Sequence, residues 1–520
     1  MRGAETLSEA PSVRWSSRGG GQMRLMRGLA TGLGGLLLIL VALAVIGLGL
    51  RWLQVRFFYE PLGGERSEQK RAYLDSLAPV DPERAPNFVV VFFDDLGWGD
   101  LSSYGSQLIR TPRIDRAAAE GLRMTDFYSG SPVCTPSRAA LLTGRYPVRS
   151  HTHNHVFFGE SSPIATLRRI FGLGNELPRD EVLLPEVLGA AGYATGMIGK
   201  WHLGGIPGHL PNDFGFDSYY GVHTSNDMQP LHVYRNDGIE LRDETPRINM
   251  GAFRDEDSDV EMKGVDQRTL TRRYTDEAIR FVEENRDRPF FLYFAHTFPH
   301  VPHFADPEHV GESPGGIYGD VVEDLDRSTG ALLDAIERLG LAGDTLVLIT
   351  SDNGADYNGS PGFLRGRKGK VLEGGQKVPM IAHWPGHVTP GRVSDAMAMN
   401  IDLFPTLLSL AGVPLPTDRV VDGRDLSRLL TAPGEEASPH ELLFYFPVIG
   451  GSVPAAVRSA RFKLLASTGD TGRDKASLTD VHRDQENHNL IRRFPEEGAR
   501  LSEALAAFSA ELVDNPRGWR

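Results

Sequence analysis

Two stretches of this chain are apolar without interruption and then stop abruptly on acids. Asn87-Phe88-Val89-Val90-Val91-Phe92-Phe93 runs into Asp94-Asp95, and Thr345-Leu346-Val347-Leu348-Ile349-Thr350 runs into Ser351-Asp352-Asn353-Gly354. A third apolar run, Pro289-Phe290-Phe291-Leu292-Tyr293-Phe294, lies between them. A strand with one face in water alternates apolar and polar residues, whereas these runs read as strands buried on both faces, as in a parallel sheet. Ala194 to Ile198 and Val378 to Trp384 are shorter candidates. Helical spacing occupies the intervals, over Ile114 to Glu120, Val182 to Ala191, Thr271 to Glu284 and Val321 to Leu339. Strands alternating with helices predict an α/β sandwich around a large, mostly parallel sheet. Beyond about residue 440 the spacing changes to short strand-like pieces, Leu442 to Phe446 and Phe462 to Ala466, closed by a helix near Pro495 to Leu512. That pattern predicts a small α+β subdomain with a short antiparallel sheet.

The amino terminus constrains location. Gly28 to Leu50 is 23 residues without a charge, long enough to cross a hydrocarbon core of roughly 30 Å as a helix. Arg2, Arg14, Arg18, Arg24 and Arg27 precede it against Glu5 and Glu9, which keeps the amino terminus cytoplasmic and the bulk of the chain outside. Ala42-Leu43-Ala44 resembles a signal-peptidase site, but the run continues past it, which favours an uncleaved anchor over a secreted product. The organisation is then a cytoplasmic tail (1–27), an anchor or signal segment (28–50), a linker or juxtamembrane helix (51–85), a large α/β domain (86–439) and a C-terminal subdomain (440–520). A formal net charge of −13 argues against a nucleic-acid partner. One cysteine in 520 residues excludes an intramolecular disulfide and any multi-cysteine metal site.

In open α/β sheets, ligands bind beyond the carboxyl ends of the strands. Asp94, Asp95 and Asp352 converging there would bring three negative charges together, and such a cluster either takes up protons or captures a cation. With the Asn353 amide the donors are all oxygens, which selects a hard ion, Ca²⁺ in preference to Mg²⁺, over zinc. The alternative is that these residues are ordinary turn and capping residues. Cys134 opens Cys134-Thr135-Pro136-Ser137-Arg138, where Pro136 suits the first turn of a helix and Gly144 its end. A side chain at 134 would sit at a helix amino terminus, where an anion is stabilised, with Arg138 one turn later supplying a forked donor to the same spot. A small buried thiol without chemistry is the other reading of a single cysteine.

Cys-x-Pro-Ser-Arg is the hallmark of the type I sulfatases, and the chain resembles that family, arylsulfatases of the A type in particular. The resemblance extends through Phe93-Asp94-Asp95-Leu96-Gly97-Trp98-Gly99-Asp100, Gly199-Lys200-Trp201-His202-Leu203-Gly204 and Pro299-His300-Val301-Pro302. It continues in Ser351-Asp352-Asn353-Gly354, then Gly366-Arg367-Lys368-Gly369 with Glu373-Gly374-Gly375, over roughly residues 86 to 490 in the family's order. It implies an alkaline-phosphatase-like sandwich and a sulfatase that cleaves sulfate esters, small-molecule or glycan, to an alcohol and inorganic sulfate. By the same resemblance a formylglycine-generating maturation enzyme oxidises Cys134 to an aldehyde. One hydroxyl of its hydrate attacks sulfur and the second expels sulfate. Asp94, Asp95, Asp352 and Asn353, with residue 134, match the metal ligands. Arg138 matches the residue that stabilises the hydrate. Lys200 and Lys368 match the clamps on sulfate oxygens, His202 the base for sulfate release, His300 the acid on the leaving-group side, and Ser225 a substrate contact. Relatives with this core that act on phosphate or phosphonate esters supply an alternative, and an unmodified Cys134 would leave an anion-binding protein.

Three departures qualify the match. Gln376-Lys377 stands where Val-Arg is usual, a change expected to alter the support around Lys368. His151-Thr152-His153-Asn154-His155 could hold a second metal as a strand but reads better as a wall of the substrate mouth. The C-terminal region has no match to an extra substrate-binding histidine.

Overall fold

The computed structural model describes residues 40–47, 49, 64–153, 156–159, 176–245, 263–432, 434, 437–448, 452–466 and 475–520. Most of the proposed anchor lies outside the described residues; within it, residues 40–47 and 49 are helical. Among the described residues no helix is long and apolar enough to cross a membrane. Residues 62–520 form one compact unit.

The three apolar runs are adjacent strands at the centre of a ten-stranded sheet. Its spatial order is Arg392–Ser394, Leu122–Met124, Met380–His383, Thr345–Ser351, Asn87–Phe93, Phe290–Ala295, Ala194–Lys200, Ser218–Val222, Val233–Arg235 and Gly238–Leu241. Asn87–Phe93 pairs in parallel with both Phe290–Ala295 and Thr345–Ser351, every residue of all three being buried. The register sets Phe93 opposite Ser351, so Asp94 and Asp352 leave the sheet side by side. Alternate residues of these strands enter two cores on opposite faces: Phe88, Val90 and Phe92 on one, Val89, Val91 and Phe93 on the other. Helices Leu270–Glu284 and Gly316–Arg338 cover the second face, and Leu184–Ala190 and Leu403–Leu410 contribute to the first.

The carboxy-terminal prediction is met by a four-stranded antiparallel sheet, Leu443–Tyr445, Ala456–Arg458, Phe462–Leu465 and Ser477–Asp480, with helix Pro495–Asp514 beside it. Two features were not expected. The sheet ends in an antiparallel edge, Val233–Arg235 and Gly238–Leu241, too short and too polar to register as strands. Residues 64–85, within the stretch read as a juxtamembrane helix or linker, do contain a helix, and they belong to the globular unit. Helix Glu65–Asp75 sends Lys70 inward to an ion pair with Glu186 at 2.6 Å and to the Glu181 carbonyl at 2.7 Å, while Tyr73, Leu74 and Leu77 pack on the core.

Candidate active site

The carboxyl ends of the central strands deliver the site. Asp94 and Asp95 follow Asn87–Phe93, Lys200 ends Ala194–Lys200, and Asp352 and Asn353 follow Thr345–Ser351. Helix Cys134–Thr143 aims its first residue at the same point, with the Cys134 thiol 3.2 Å from Asp94 Oδ1. Ligand atoms of Asp94, Asp95, Cys134 and His300 all lie within 4.8 Å of one another. Backbone geometry is specialised here. Asp95 and His202 adopt left-handed φ values of 69° and 59°, a conformation that costs free energy for residues with a Cβ and collects at functional sites. Gly199 has φ +108° and lies so close to the next strand that a Cβ would meet the Ala295 carbonyl oxygen at 1.7 Å, so only glycine can precede Lys200.

Cations flank the acids. Lys200 Nζ donates to Asp94 Oδ2 at 2.5 Å and to Ser225 Oγ at 3.0 Å. Lys368 Nζ reaches Asp95 Oδ2 at 2.8 Å from a loop tied to its neighbours through the Lys368 amide on Ala355 O and the Gly369 amide on Pro132 O. Arg138 does not fork onto residue 134 as the sequence suggested. Its Nε and Nη2 donate to Asp352 Oδ2 at 3.1 and 2.9 Å, and its Nη1 to the Lys200 carbonyl at 2.7 Å. The guanidinium thus binds Asp352 and fixes the Lys200 main chain.

Titration follows from this geometry. Burial would raise Asp94, but Lys200, then His300 and Arg138, hold its carboxyl well below the usual range. Asp352 is pushed up to about 7 by burial and by Asp94, against the pull of Arg138. Burial, Asp352 and Asp94 also push the Cys134 thiol well above its ordinary value, overriding the helix terminus. As an unmodified thiol, Cys134 is therefore protonated and a poor nucleophile.

The two histidines bond main-chain carbonyls through different ring nitrogens. His202 is buried, and burial followed by Lys200 and Arg138 holds it well below the histidine range, so its ring is neutral. Its Nε2 lies 2.9 Å from the Phe157 carbonyl, which can only accept, so the proton sits on Nε2. Nδ1 is left with a free lone pair and has no hydrogen-bond partner. His300 Nδ1 donates to the Val301 carbonyl at 2.6 Å, and its Nε2 lies 3.8 Å from Asp95 Oδ2.

The donor set fits a hard cation. Asn353 Nδ2 donates to Asp95 Oδ1 at 2.7 Å, which leaves Asn353 Oδ1 buried without a partner beside three buried carboxylates. A buried carbonyl oxygen left unpaired among anions is what a metal ligand looks like before the metal is added.

Every sequence-predicted residue except Ser225 and His202 thus meets the cluster directly; Ser225 meets it through Lys200, and His202 bonds Phe157 and Thr135 instead. The Gln376-Lys377 departure does not reach Lys368. Lys377 Nζ pairs with Asp126 at 2.5 Å, and Gln376 Nε2 donates to the Ser129 carbonyl at 2.9 Å. His151 and His153 are described and His155 is not, so a three-histidine site falls outside the described residues. Sequence reasoning missed Thr135, whose hydroxyl donates to the His202 carbonyl and accepts from the Phe157 amide, both at 2.8 Å. It also missed Phe157 itself, whose contribution is a carbonyl that no motif could display.

Comparison with known proteins agrees with this geometry. A family model described as Sulfatase matches residues 86–413, and one described as N-sulphoglucosamine sulphohydrolase, C-terminal, matches residues 367–508. The chain is 40% identical over 405 residues to arylsulfatase A of Bos taurus, covering 74% of this chain and 75% of that protein. It is 36% identical over 439 residues to steryl-sulfatase of Rattus norvegicus, covering 72% and 75%. Among solved structures, Ps i-CgsB in complex with k-i-k-neocarrahexaose superposes with a TM-score of 0.70 at 26% identity, covering 84% of this chain and 94% of that one.

Proposed function

The chain belongs to the sulfatase family, whose members hydrolyse sulfate esters, and from that premise we propose that its own reaction is centred on residue 134 after conversion of Cys134 to formylglycine. The observation that carries this reading is the placing of the thiol, buried on Asp94 at 3.2 Å among carboxylates that keep it protonated, with Lys200 and Lys368 on the adjoining acids. A maturation enzyme that oxidised Cys134 would replace this inert thiol by an aldehyde whose hydrate supplies an oxygen nucleophile and a second hydroxyl for release. Ca²⁺, held by Asp94, Asp95, Asp352 and Asn353 beside residue 134, would act as Lewis acid and orient a sulfate oxygen.

The remaining roles belong to the chain's own side chains. Lys200 and Lys368 approach the cluster from opposite acids, Asp94 and Asp95, and would turn their ammonium groups to the sulfate oxygens as charge develops there. Arg138 stays on Asp352 and offsets the charge of that carboxylate. His202, neutral with a free Nδ1, has the protonation state of a base for sulfate release. His300 holds Nδ1–H on a carbonyl and so exchanges its catalytic proton at Nε2, which suits protonation of the departing alkoxide. Ser225 contacts substrate through its place beside Lys200.

The substrate class is a small-molecule or glycan sulfate ester, in line with relatives named as steryl- and N-acetylgalactosamine-6-sulfatases. We place the catalytic unit on the extracytoplasmic side of a membrane, anchored through residues 28–50, and divide it near residue 440 into catalytic and C-terminal parts. Peptide mass spectrometry of the Cys134 segment from the native host, paired with aryl sulfate turnover by wild type and Cys134→Ala, tests the chemistry. An aldehyde at 134 with turnover abolished in a variant that still melts normally is the expected result. Retained turnover in Cys134→Ala would sink it.

A further inference from the structure

One turn of chain, Ser225 to Met228, closed by the Met228 amide on the Ser225 carbonyl at 2.9 Å, lies against both halves of the site. Ser225 holds Lys200. The next residue, Asn226, is fully buried, and its Nδ2 donates to two main-chain carbonyls, those of His300 and Pro302, at 3.2 Å each. Both partners can only accept, so the amide orientation is fixed, and Asn226 Oδ1 has no hydrogen-bond partner.

The carbonyl between those two, that of Val301, is the one that accepts from His300 Nδ1. Three successive carbonyls are therefore divided: the outer two go to Asn226 and the middle one to the imidazole. Tying 300 and 302 fixes the peptide whose 301 carbonyl decides which ring nitrogen carries the resident proton and where Nε2 points. The turn is itself anchored, because Gln267 Nε2 donates to the Asn226 carbonyl at 3.1 Å from the 3₁₀ turn Gln267–Thr269 that leads into helix Leu270–Glu284.

We propose that Asn226 is a positioning residue for His300, setting the tautomer and aim of the leaving-group acid without touching substrate. The proposal rests on the reading of His300 as that acid. It makes the Ser225–Asn226 pair a two-ended device, one residue serving the sulfate clamp and the other the leaving group.

The test measures turnover of paired sulfates, one of an activated phenol and one of an aliphatic alcohol, by Asn226→Ala, Asn226→Ser, His300→Ala and the double variant Asn226→Ala/His300→Ala, with melting temperatures alongside. A phenolate leaves without a proton and an alkoxide does not, so His300→Ala should reduce alkyl turnover more than aryl turnover by a factor of at least about ten. Asn226→Ala should reproduce that selectivity in weaker form, and Asn226→Ser, which keeps one donor, should lie between it and wild type. The double variant should lose no more alkyl turnover than His300→Ala alone. If His300→Ala is selective and Asn226→Ala reduces both substrates equally, the positioning role is wrong and His300 stands. If His300→Ala is itself unselective, the reading of His300 falls and the proposal falls with it. Should Asn226→Ala fail to fold, Asn226→Ser and its double with His300→Ala decide the matter by the same comparison.

Discussion

Two buried clusters in this molecule have the same charge inventory and opposite arrangements. At the strand ends, Asp94, Asp95 and Asp352 meet Lys200, Lys368 and Arg138. Where the catalytic sheet joins the C-terminal sheet, Asp126, Glu373 and Glu486 meet Lys377, Arg458 and Lys463. In the second cluster acids and bases alternate. Asp126 lies between Lys377 and Arg458, and Glu373 takes Lys463 at 3.0 Å on one oxygen and the Tyr128 hydroxyl at 2.6 Å on the other. Glu486 receives the Glu373 amide at 2.9 Å and Lys463 at 3.3 Å. In the first cluster the acids stand next to one another. The Asp95 amide lies on Asp352 Oδ1 and the Asn353 amide on Asp95 Oδ1, while Lys200 reaches Asp94, Lys368 reaches Asp95 and Arg138 alone spans two acids, Asp352 and Asp94. Segregated like charges leave a residual field at one point, and interleaved charges cancel theirs. The first arrangement suits the proposed metal and sulfate site, and the second suits a brace between two sheets.

The largest effect that would break this division comes from the second cluster. Lys463→Met removes the cation shared by Glu373 and Glu486 and should cost about 3–5 kcal/mol of stability, the usual result of stranding a buried charge. Turnover per folded molecule should persist, because the Lys368 loop keeps its other ties, including Arg365 Nη1 on the Glu486 carbonyl at 2.6 Å. Denaturant unfolding, with turnover referred to the folded fraction, checks both halves. Turnover lost faster than folding would make this cluster part of the active site. Next in size, Lys368→Ala should reduce turnover of aryl and alkyl sulfates alike by on the order of a hundredfold. Its melting temperature should move little, since the side chain is 22% exposed and its loss leaves the loop's backbone bonds in place. A large shift in melting temperature, or a loss confined to one substrate, would assign Lys368 a different role.

The same contrast explains what the sequence displayed. The segregated cluster is built from residues at the ends of continuous apolar runs, so strand periodicity alone brings Asp94 and Asp352 together through the register of Phe93 and Ser351. Motif spacing supplies Cys134, Lys200, His300 and Lys368. What stayed hidden was whatever acts through the main chain or across unrelated segments. Phe157 fixes the His202 proton through a carbonyl, and Thr135 ties those two segments together. Arg138 reads as a donor to residue 134 in a helical projection, yet two nearby carboxylates are stronger partners than a thiol. The interleaved cluster draws on residues 126, 373, 377, 458, 463 and 486, and no local pattern joins positions so far apart. Gln376-Lys377 looked like a change beside the active site because sequence proximity to Lys368 was the only guide. In the fold Lys377 turns to Asp126.

A metal test sharpens the comparison further. Ca²⁺ should raise the melting temperature of chelator-treated protein, by about 2.7 kcal/mol of stability at a hundred times its Kd. Asp352→Asn, which removes one of the crowded charges, should shrink that rise, and Lys463→Met should leave it unchanged. Zinc as the ion retained by active enzyme, established by elemental analysis, would contradict the oxygen donor set.

The smallest effect is a tilt of stability with pH, and one carboxyl from each cluster, Asp352 and Asp126, should contribute to it in opposite directions. In metal-free protein Asp352 is pushed up to about 7 from 3.8 by burial and by Asp94. Between those values the folded state binds more protons than the unfolded state, so this carboxyl lowers stability progressively as pH rises from about 4 to about 7. Asp126 shifts the other way, since Arg458 and Lys377 outweigh burial and hold it below its ordinary value. Its contribution is present above that ordinary value and is lost as pH falls through the folded one. Urea unfolding of chelator-treated wild type and Asp352→Asn at a series of pH values isolates the first term as the difference between the two. That difference should fall with pH across the window, no more steeply than about 1.4 kcal/mol per pH unit for one proton. Excess Ca²⁺ should reverse its sign, because a cation binds the ionised carboxylate and excludes the proton. A difference that is flat, or that rises with pH without metal, would mean that Asp352 is already stabilised as an anion by Arg138. The first cluster would then be as well balanced as the second.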